Sequence, residues 1–204
     1  MSLKDTFTVT DNNSLRGFVV IKDNKTGRIL VENHNMILKE GKDCILSHFL
    51  FKDKTQTYIS ELADTSDLQS LRNYFLSHCV FYKNDSEVAY TENFDAPGSR
   101  NSFSTNEVNR KNQVLIPLSK DNFKIEIEDN HFILKITLNI DLLSYFDAST
   151  DNKEFTSLAL LLSDGNTGTN YETYNNYKTF SRIRFDSIFL TQDSSLNLTY
   201  YVYF

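Results

Sequence analysis

Four histidines and two cysteines are the residues of this 204-residue chain that could together hold a transition-metal ion. Protein zinc sites typically use pairs of such ligands with two to five residues between them along the chain. The histidines share no ligand spacing, and Cys44 and Cys79 are far apart, so the sequence predicts no metal centre. Imidazoles at the surface or at the core edge, with ordinary hydrogen bonds, are the interpretation given to His34, His48, His78 and His131.

The two cysteines could pair with each other, but a single pair defines no disulfide framework. Two free thiols in a reducing compartment would fit the sequence as well as a disulfide would. Because free cysteine is among the most buried residue types, Cys44 and Cys79 are interpreted as small buried apolar side chains, and their pairing is left open.

Acid–base chemistry needs carboxylates in a suitable arrangement, and the best candidates are Glu126 and Glu128. A glycosidase requires two carboxyl groups that face each other across a cleft, with one pKa raised by burial. These two glutamates instead point the same way from one predicted strand, and Lys124 shares their face. The pattern is typical of a solvated sheet face.

Other catalytic and ligand-binding motifs are missing from the sequence. Asp164-Gly165-Asn166 begins like a calcium loop, but the next acidic residue, Glu172, stands at the wrong spacing, so a plain turn is predicted. The chain has six glycines, with no Gly-x-Ser-x-Gly elbow and no glycine-rich phosphate loop. We therefore expect a non-enzymatic protein with no catalytic residue and no cofactor.

Composition argues against further classes of protein. Asn, Ser and Thr together outnumber the 21 basic and 27 acidic residues combined, and 13% of residues are aromatic. Such an aromatic share argues against disorder, and the net charge of −6 argues against general nucleic-acid binding. No apolar run is long enough to span a bilayer, and the first residues do not form a secretory signal.

The first half of the chain predicts a β-hairpin and a helix. Residues 15–21 and 28–32 are apolar and β-branched, and residues 23–27 between them supply a turn ending in Gly27, which suits positive φ. Apolar residues then recur at spacings of three and four over residues 39–51, which predicts a helix. Residues 75–82 again have the pattern of a strand.

The second half has the strongest strand signals. Residues 123–128 alternate apolar and charged side chains, so we expect one buried and one wet face. Residues 155–162 are apolar on both faces and predict a central, covered strand, and residues 180–190 and 196–204 complete the set. The sequence predicts a mainly β single domain over residues 1–204: an antiparallel, jelly-roll-like β-sandwich with one short helix and a long loop excursion at about 83–112.

Two segments, one near each end, carry a family resemblance. The first consists of GFVVIKD, GRILV, HNMI and a glycine, at residues 17–23, 27–31, 34–37 and 41. The second consists of SLALLL, FSRIRF and DSSLNLTYYVYF, at residues 157–162, 180–185 and 193–204. Together they resemble the N-terminal hairpin, glycine-led helix and closing strands of structural virion proteins of tailed bacteriophages. The Trp-free, Asn-rich composition is similar to that of crAss-like phages.

The resemblance implies a structural subunit of the neck, head-to-tail connector or tail of a short-tailed phage. Such a subunit forms a homo-oligomeric ring and contacts portal, neck or tail proteins within the virion, which is assembled in the host bacterial cytoplasm. It implies no membrane partner and no direct reading of nucleic acid, and it carries over no catalytic residue. Hairpins and alternating strands of this kind also arise in many β proteins from physics alone.

Tyrosine is enriched in interface cores because it buries a large area and keeps one hydrogen bond. The predicted interface residues cluster towards the end of the chain: Tyr171, Tyr174, Tyr177, Tyr201 and Tyr203. For Tyr201 and Tyr203 an alternative is that they line the second face of a sandwich strand. The alternative function is a head- or tail-fibre component or glycan-binding module, in which loop aromatics such as Tyr171 and Tyr174 contact the sugar.

Overall fold

A computed structural model describes residues 15–50, 73–83, 113–128, 131–145, 153–164 and 178–204. It confirms the predicted class, an antiparallel β-sandwich with one short helix, α1 (Lys39–Leu50), within these residues. Short 3₁₀ turns lie at Lys120–Asn122 and Leu142–Tyr145. The strands are β1 (Arg16–Asp23), β2 (Ile29–Ile37), β3 (Phe75–Tyr82), β4 (Gln113–Pro117), β5 (Phe123–Glu128), β6 (His131–Asp141), β7 (Lys153–Ser163), β8 (Lys178–Leu190) and β9 (Ser195–Tyr203).

The strands form two antiparallel sheets that share one hydrogen-bonded junction. The A sheet has the order β2-β1-β9-β6-β5, and the B sheet has the order β4-β3-β7-β8. They join at β2 and β8, where Met36 pairs with Arg182 and Ile37 with Ser181. Because only these two pairs connect the sheets, β2 and β8 diverge beyond them, and the apolar faces of the two sheets pack against each other.

The first hairpin turns as its sequence predicts. The Asp23 side chain accepts hydrogen bonds from the backbone N–H of Lys25 at 2.8 Å and of Thr26 at 2.9 Å. The bond from Thr26 is the main cause that holds the pKa of Asp23 below its ordinary value. Gly27 closes the turn at φ +69°, a conformation that costs glycine nothing sterically.

The interior is filled by strands whose inward side chains are fully covered. The predicted central strand is confirmed, because β7 lies between β3 and β8 and is buried on both faces. A second buried cluster lies on the opposite face of the B sheet and comprises Val80, Tyr82, Ala159 and Leu161. In the A sheet, β9 lies between β1 and β6, and its side chains Leu196, Leu198, Tyr200 and Val202 are all 0% exposed.

The buried hydroxyl of Tyr200 reaches across the interior. It forms a hydrogen bond with the hydroxyl of Ser181 on β8, which belongs to the other sheet. Both side chains are 0% exposed, so water cannot substitute for this bond. The contact therefore fixes the spacing of the two sheets near their junction.

Helix α1 lies against β8, and Gly41 makes the close approach possible. The backbone N–H of Leu38 donates to the Phe180 carbonyl at 3.0 Å. A Cβ added at Gly41 would collide with that same carbonyl oxygen and with the Phe180 ring. The glycine of the N-terminal motif is thus a packing requirement between helix and sheet.

One expectation about strands is wrong, and one strand was not predicted. The apolar face of β5 is not buried: Ile125 is 71% and Ile127 is 67% exposed, because the B sheet does not cover this edge of the A sheet. The pattern of residues 113–117 was too short to predict β4, which lies at the edge of the B sheet. The predicted excursion at about 83–112 lies outside the described residues except for Lys83.

Both cysteines are free and buried, which confirms their interpretation as small apolar residues. Cys44 lies in α1, and its thiol donates to the Tyr74 carbonyl at 3.5 Å. Burial raises the pKa of Cys44 to about 11 and raises the pKa of Cys79 even further above its ordinary value.

We predict that Tyr200→Phe destabilises the fold by about 1–2 kcal/mol, because it removes a buried partner of Ser181. Ser181→Ala has a similar effect, and the double variant loses less than the sum of the two. Chemical denaturation of the four proteins measures this coupling. Tyr201→Phe, on the outer face of the same strand, is the control and changes stability by less than about 0.5 kcal/mol. Additive effects would contradict the role of the bond.

We predict that Gly41→Ala destabilises the fold by about 1–3 kcal/mol, because the added methyl group overpacks the contact with Phe180. The sign is informative, since Gly→Ala inside a helix ordinarily stabilises by about 1 kcal/mol. Gly27→Asn is the control: its Cβ meets open space, and Asn tolerates positive φ. Thermal unfolding reports both effects, and a stabilised Gly41→Ala would contradict the contact.

Candidate functional site

One row of side chains crosses the outer face of the A sheet and takes one residue from each of its five strands. Antiparallel register places residues directly opposite one another on the same face. Phe18 is opposite both His34 and Tyr201, Tyr201 is opposite Lys135, and Lys135 is opposite Lys124. From β2 to β5 the row therefore reads His34, Phe18, Tyr201, Lys135 and Lys124.

The β2 side of the row is aromatic. The ring centroids of Phe18 and His34 are 5.3 Å apart, and those of Phe18 and Tyr201 are 6.4 Å apart. Tyr203, two residues further along β9, stacks beside Tyr201 with centroids 6.4 Å apart and an interplanar angle of 26°. We call these four residues, Phe18, His34, Tyr201 and Tyr203, the outer aromatic strip.

The β5 side of the row is charged. The Lys135 ammonium lies 5.6 Å from the Tyr201 ring centroid and 3.6 Å from the Glu126 carboxylate. Lys124 contacts the same carboxylate at 2.9 Å. The hydrogen bond from Lys124 is the main cause that keeps the pKa of Glu126 below its ordinary value. The aromatic strip thus ends on a small cationic network that holds one carboxylate.

The outer aromatic strip is partly withdrawn from water. Phe18 is buried, whereas Tyr201 and Tyr203 are half-buried. Partial burial raises the pKa of Tyr203, and the neighbouring Tyr201 and Glu128 add to that shift. Both tyrosines therefore present ring area, and the phenol of Tyr203 stays protonated at neutral pH.

A cleft of about 480 Å³ opens next to the His34 end of the strip, where β2 and β8 diverge. The Asn33 side-chain amide donates to the Arg184 carbonyl at 3.3 Å and spans the gap. The cleft is lined by Leu30, Val31, Glu32, Asn33, Arg184, Phe185 and Asp186. Charged groups of both signs therefore border the strip at this end.

Two of the five predicted interface residues, Tyr201 and Tyr203, lie in the outer aromatic strip, on the face opposite Tyr200. The other three, Tyr171, Tyr174 and Tyr177, lie outside the described residues. Sequence reasoning missed Phe18, His34 and Lys135, because only strand register brings them beside Tyr201.

A serine–histidine contact occurs on β3, where the Ser77 hydroxyl lies 3.0 Å from the His78 ring nitrogen Nδ1. The same hydroxyl donates to the Leu161 carbonyl at 3.3 Å, and Ser77 is buried. Burial lowers the pKa of His78. This arrangement holds the hydroxyl inside the sheet and does not present it to a substrate.

Among the residues that the structure describes, no three His, Cys, Asp or Glu side chains form a group that could hold a metal ion. Within the same residues, no helix has both the length and the apolar character needed to cross a membrane. The most distinctive surface in this part of the chain is the outer aromatic strip, which can bind flat or apolar groups by stacking and can orient them through its lysines and Glu126.

We predict that Tyr203 titrates above the ordinary tyrosine pKa of about 10, because burial disfavours the phenolate. The raised pKa means that its contribution to stability is complete below pH 10 and is lost as the pH rises through the folded value. Ultraviolet difference titration of the native chain against Tyr203→Phe isolates this one phenol. A Tyr203 signal with an ordinary midpoint would contradict the burial.

Family models, curated proteins and solved structures give no match to the chain. The function is therefore inferred from the motifs and contacts of the chain itself.

Proposed function

We propose that this chain is a non-enzymatic structural subunit of a phage virion, which assembles in a ring at the head-to-tail connector or tail. The observation that carries the proposal is the outer aromatic strip. It places two half-buried tyrosines side by side on a broad sheet face, beside lysines and a carboxylate.

The positions of the motif segments support the proposal. The two segments that resemble phage virion proteins are far apart in sequence, yet β1 of the first pairs with β9 of the second along its whole length. Gly41 of the first segment also packs on Phe180 of the second. The resemblance therefore maps onto one continuous part of the fold, and the outer aromatic strip belongs to it.

The chemistry of the face also suits contact between proteins. Specific interfaces have aromatic centres and polar rims. Tyr201 and Tyr203 supply such a centre. Lys135 at one end of the strip, and Glu32 and Arg184 in the cleft at the other end, supply a rim with charges of both signs. A ring requires a heterologous contact, in which this strip meets a different surface of the next subunit.

A head- or tail-fibre component or glycan-binding module is the second candidate. The specific observation in its favour is the stacked pair of Tyr201 and Tyr203, because exposed aromatic faces can bind the apolar face of a sugar ring. Further along the same face, the Asn197 side-chain amide donates to that of Asn139 at 2.8 Å, and these amides supply hydrogen-bonding groups for sugar hydroxyls.

Light scattering and electron microscopy of the purified chain test the ring. We expect a closed oligomer that bears well over about 1,000 Å² of buried area per contact. The double variant Tyr201→Ala with Tyr203→Ala should shift the chain to monomers. The matched control, Asn139→Ala with Asn197→Ala, changes two residues on the same face and should keep the ring.

A monomer at all concentrations, together with no density for the chain in reconstructions of purified virions, would overturn the proposal. The second candidate predicts a different result: glycan binding on an array that Tyr201→Ala abolishes, with the protein at an exposed distal position. No glycan binding and a position on the portal axis would decide against that alternative.

A further inference from the structure

Strand β5 is an unusual edge. It closes the A sheet on one side and pairs only with β6 within the described residues. Ile125 and Ile127 are 71% and 67% exposed, and Phe132, which pairs with Ile127, is 58% exposed. Natural edge strands normally carry charge, proline or a cover that prevents pairing with another chain. β5 does carry charges, but Lys124, Glu126 and Glu128 all lie on one face, and the isoleucines on its other face are exposed. Such an edge can pair with a further strand whose charges complement its own.

The exposed apolar side chains continue along the end of the sandwich. The Phe204 N–H donates to the Phe132 carbonyl at 2.9 Å, so the two residues are neighbours across β6 and β9. Phe204 in turn borders an apolar groove of about 240 Å³, together with Leu134 and Phe75. The β5 edge is thus one end of a larger apolar surface.

We propose that β5 pairs antiparallel with β5 of a second copy of this chain, about a two-fold axis through Ile125. In this register Lys124 lies opposite Glu126 of the partner subunit, and Glu126 lies opposite Lys124 of the partner subunit. On the other face, Phe123 lies opposite Ile127 of the partner subunit, and the two Ile125 side chains meet at the axis.

The charge pattern selects this register over its neighbours. Directly paired residues must lie on the same face, so the axis can pass through Lys124, Ile125 or Glu126. An axis at Lys124 places two ammonium groups opposite each other, and an axis at Glu126 does the same with two carboxylates. Like charges directly opposite are destabilising, whereas opposite charges and apolar pairs stabilise. Only the Ile125 axis gives opposite-charge and apolar pairs without a like-charge pair.

The charged network of the single chain is already arranged for this contact. Glu126 is contacted by Lys124 at 2.9 Å and by Lys135 at 3.6 Å, on the same outer face. The Lys124 side chain is 71% exposed and can reach across the axis. Pairing would join the two networks into one, because each Glu126 carboxylate would then lie between lysines of its own chain and Lys124 of the partner subunit.

The contact is small. One six-residue strand and its flanking side chains fall at the low end of specific interfaces, below about 1,200 Å² in total, where weak and transient complexes are found. We therefore expect a reversible dimer that dissociates on dilution. The inference does not depend on the proposed function. A two-fold contact differs from the head-to-tail contact that closes a ring, so both together would give a ring of dimers or two stacked rings.

A charge-swap series tests the register by sedimentation equilibrium of the full chain. Lys124→Glu places carboxylates opposite carboxylates and should weaken dimerisation about tenfold. Glu126→Lys places ammonium groups opposite ammonium groups and should weaken dimerisation to a similar degree. The double variant restores both pairs and should recover the dimer. Lys83→Glu, which alters an ion pair with Glu154 on the B sheet, is the control and should leave dimerisation unchanged.

Cross-linking tests the axis independently. Directly opposed residues in antiparallel strands have Cβ atoms about 4.5–5.5 Å apart, close enough for a disulfide after small adjustment. Ile125→Cys should therefore form a symmetric dimer under mild oxidation, whereas Ile127→Cys, which keeps both charge pairs but lies away from the axis, should not. The native cysteines are buried and do not compete. Circular dichroism of each variant verifies that the fold is retained.

Three results would overturn the inference. One is a monomer at concentrations of several hundred micromolar. Another is a dimer that ignores Lys124→Glu and yields no cross-link through Ile125→Cys, which would assign the contact to another surface. The third is a β5 edge that pairs only with a strand of a different protein. Loss of ring assembly with retention of this dimer would instead overturn the proposed function alone.

Discussion

The burial of one strand, β9, between two others controls the architecture of the A sheet. Its inward side chains Leu196, Leu198, Tyr200 and Val202 are completely covered, and its backbone pairs with β1 on one side and β6 on the other. The β1–β2 hairpin is held in the sheet through β9, and the β5–β6 hairpin is held from the opposite side. Removal of this strand would separate the two hairpins and leave their apolar faces without a common support.

The same burial determines what the outer face presents. Because side chains alternate along a strand, the inward position of Tyr200 requires Tyr201 and Tyr203 to point outward. Register with β1 and β6 then places Phe18 on one side of Tyr201 and Lys135 on the other. Core packing therefore also positions the aromatic and cationic groups of the candidate site, and no loop or helix is needed to place them.

Local pattern was enough to predict much of this fold. The hairpin turn at Gly27, the helix at 39–50, the doubly covered strand β7 and the alternation of β9 follow from signals within each segment. Pairing between distant strands is not encoded locally, so the row from His34 to Lys124 could not be predicted. The exposure of Ile125 could not be predicted either. Alternation shows that a strand has one apolar and one polar face, but it does not show whether a second sheet covers the apolar face.

The β1–β9 pairing also has a kinetic consequence. Arg16 pairs with Tyr203, far away in the sequence, so β1 cannot reach its neighbour in the sheet until β9 has left the ribosome. Contacts of such long sequence separation slow folding, since a large loop must close before they stabilise anything. Val19 and Ile21, which end up fully buried, stay open to solvent or to chaperones during that interval. In a cell, the A sheet therefore cannot be completed before β9 has been synthesised.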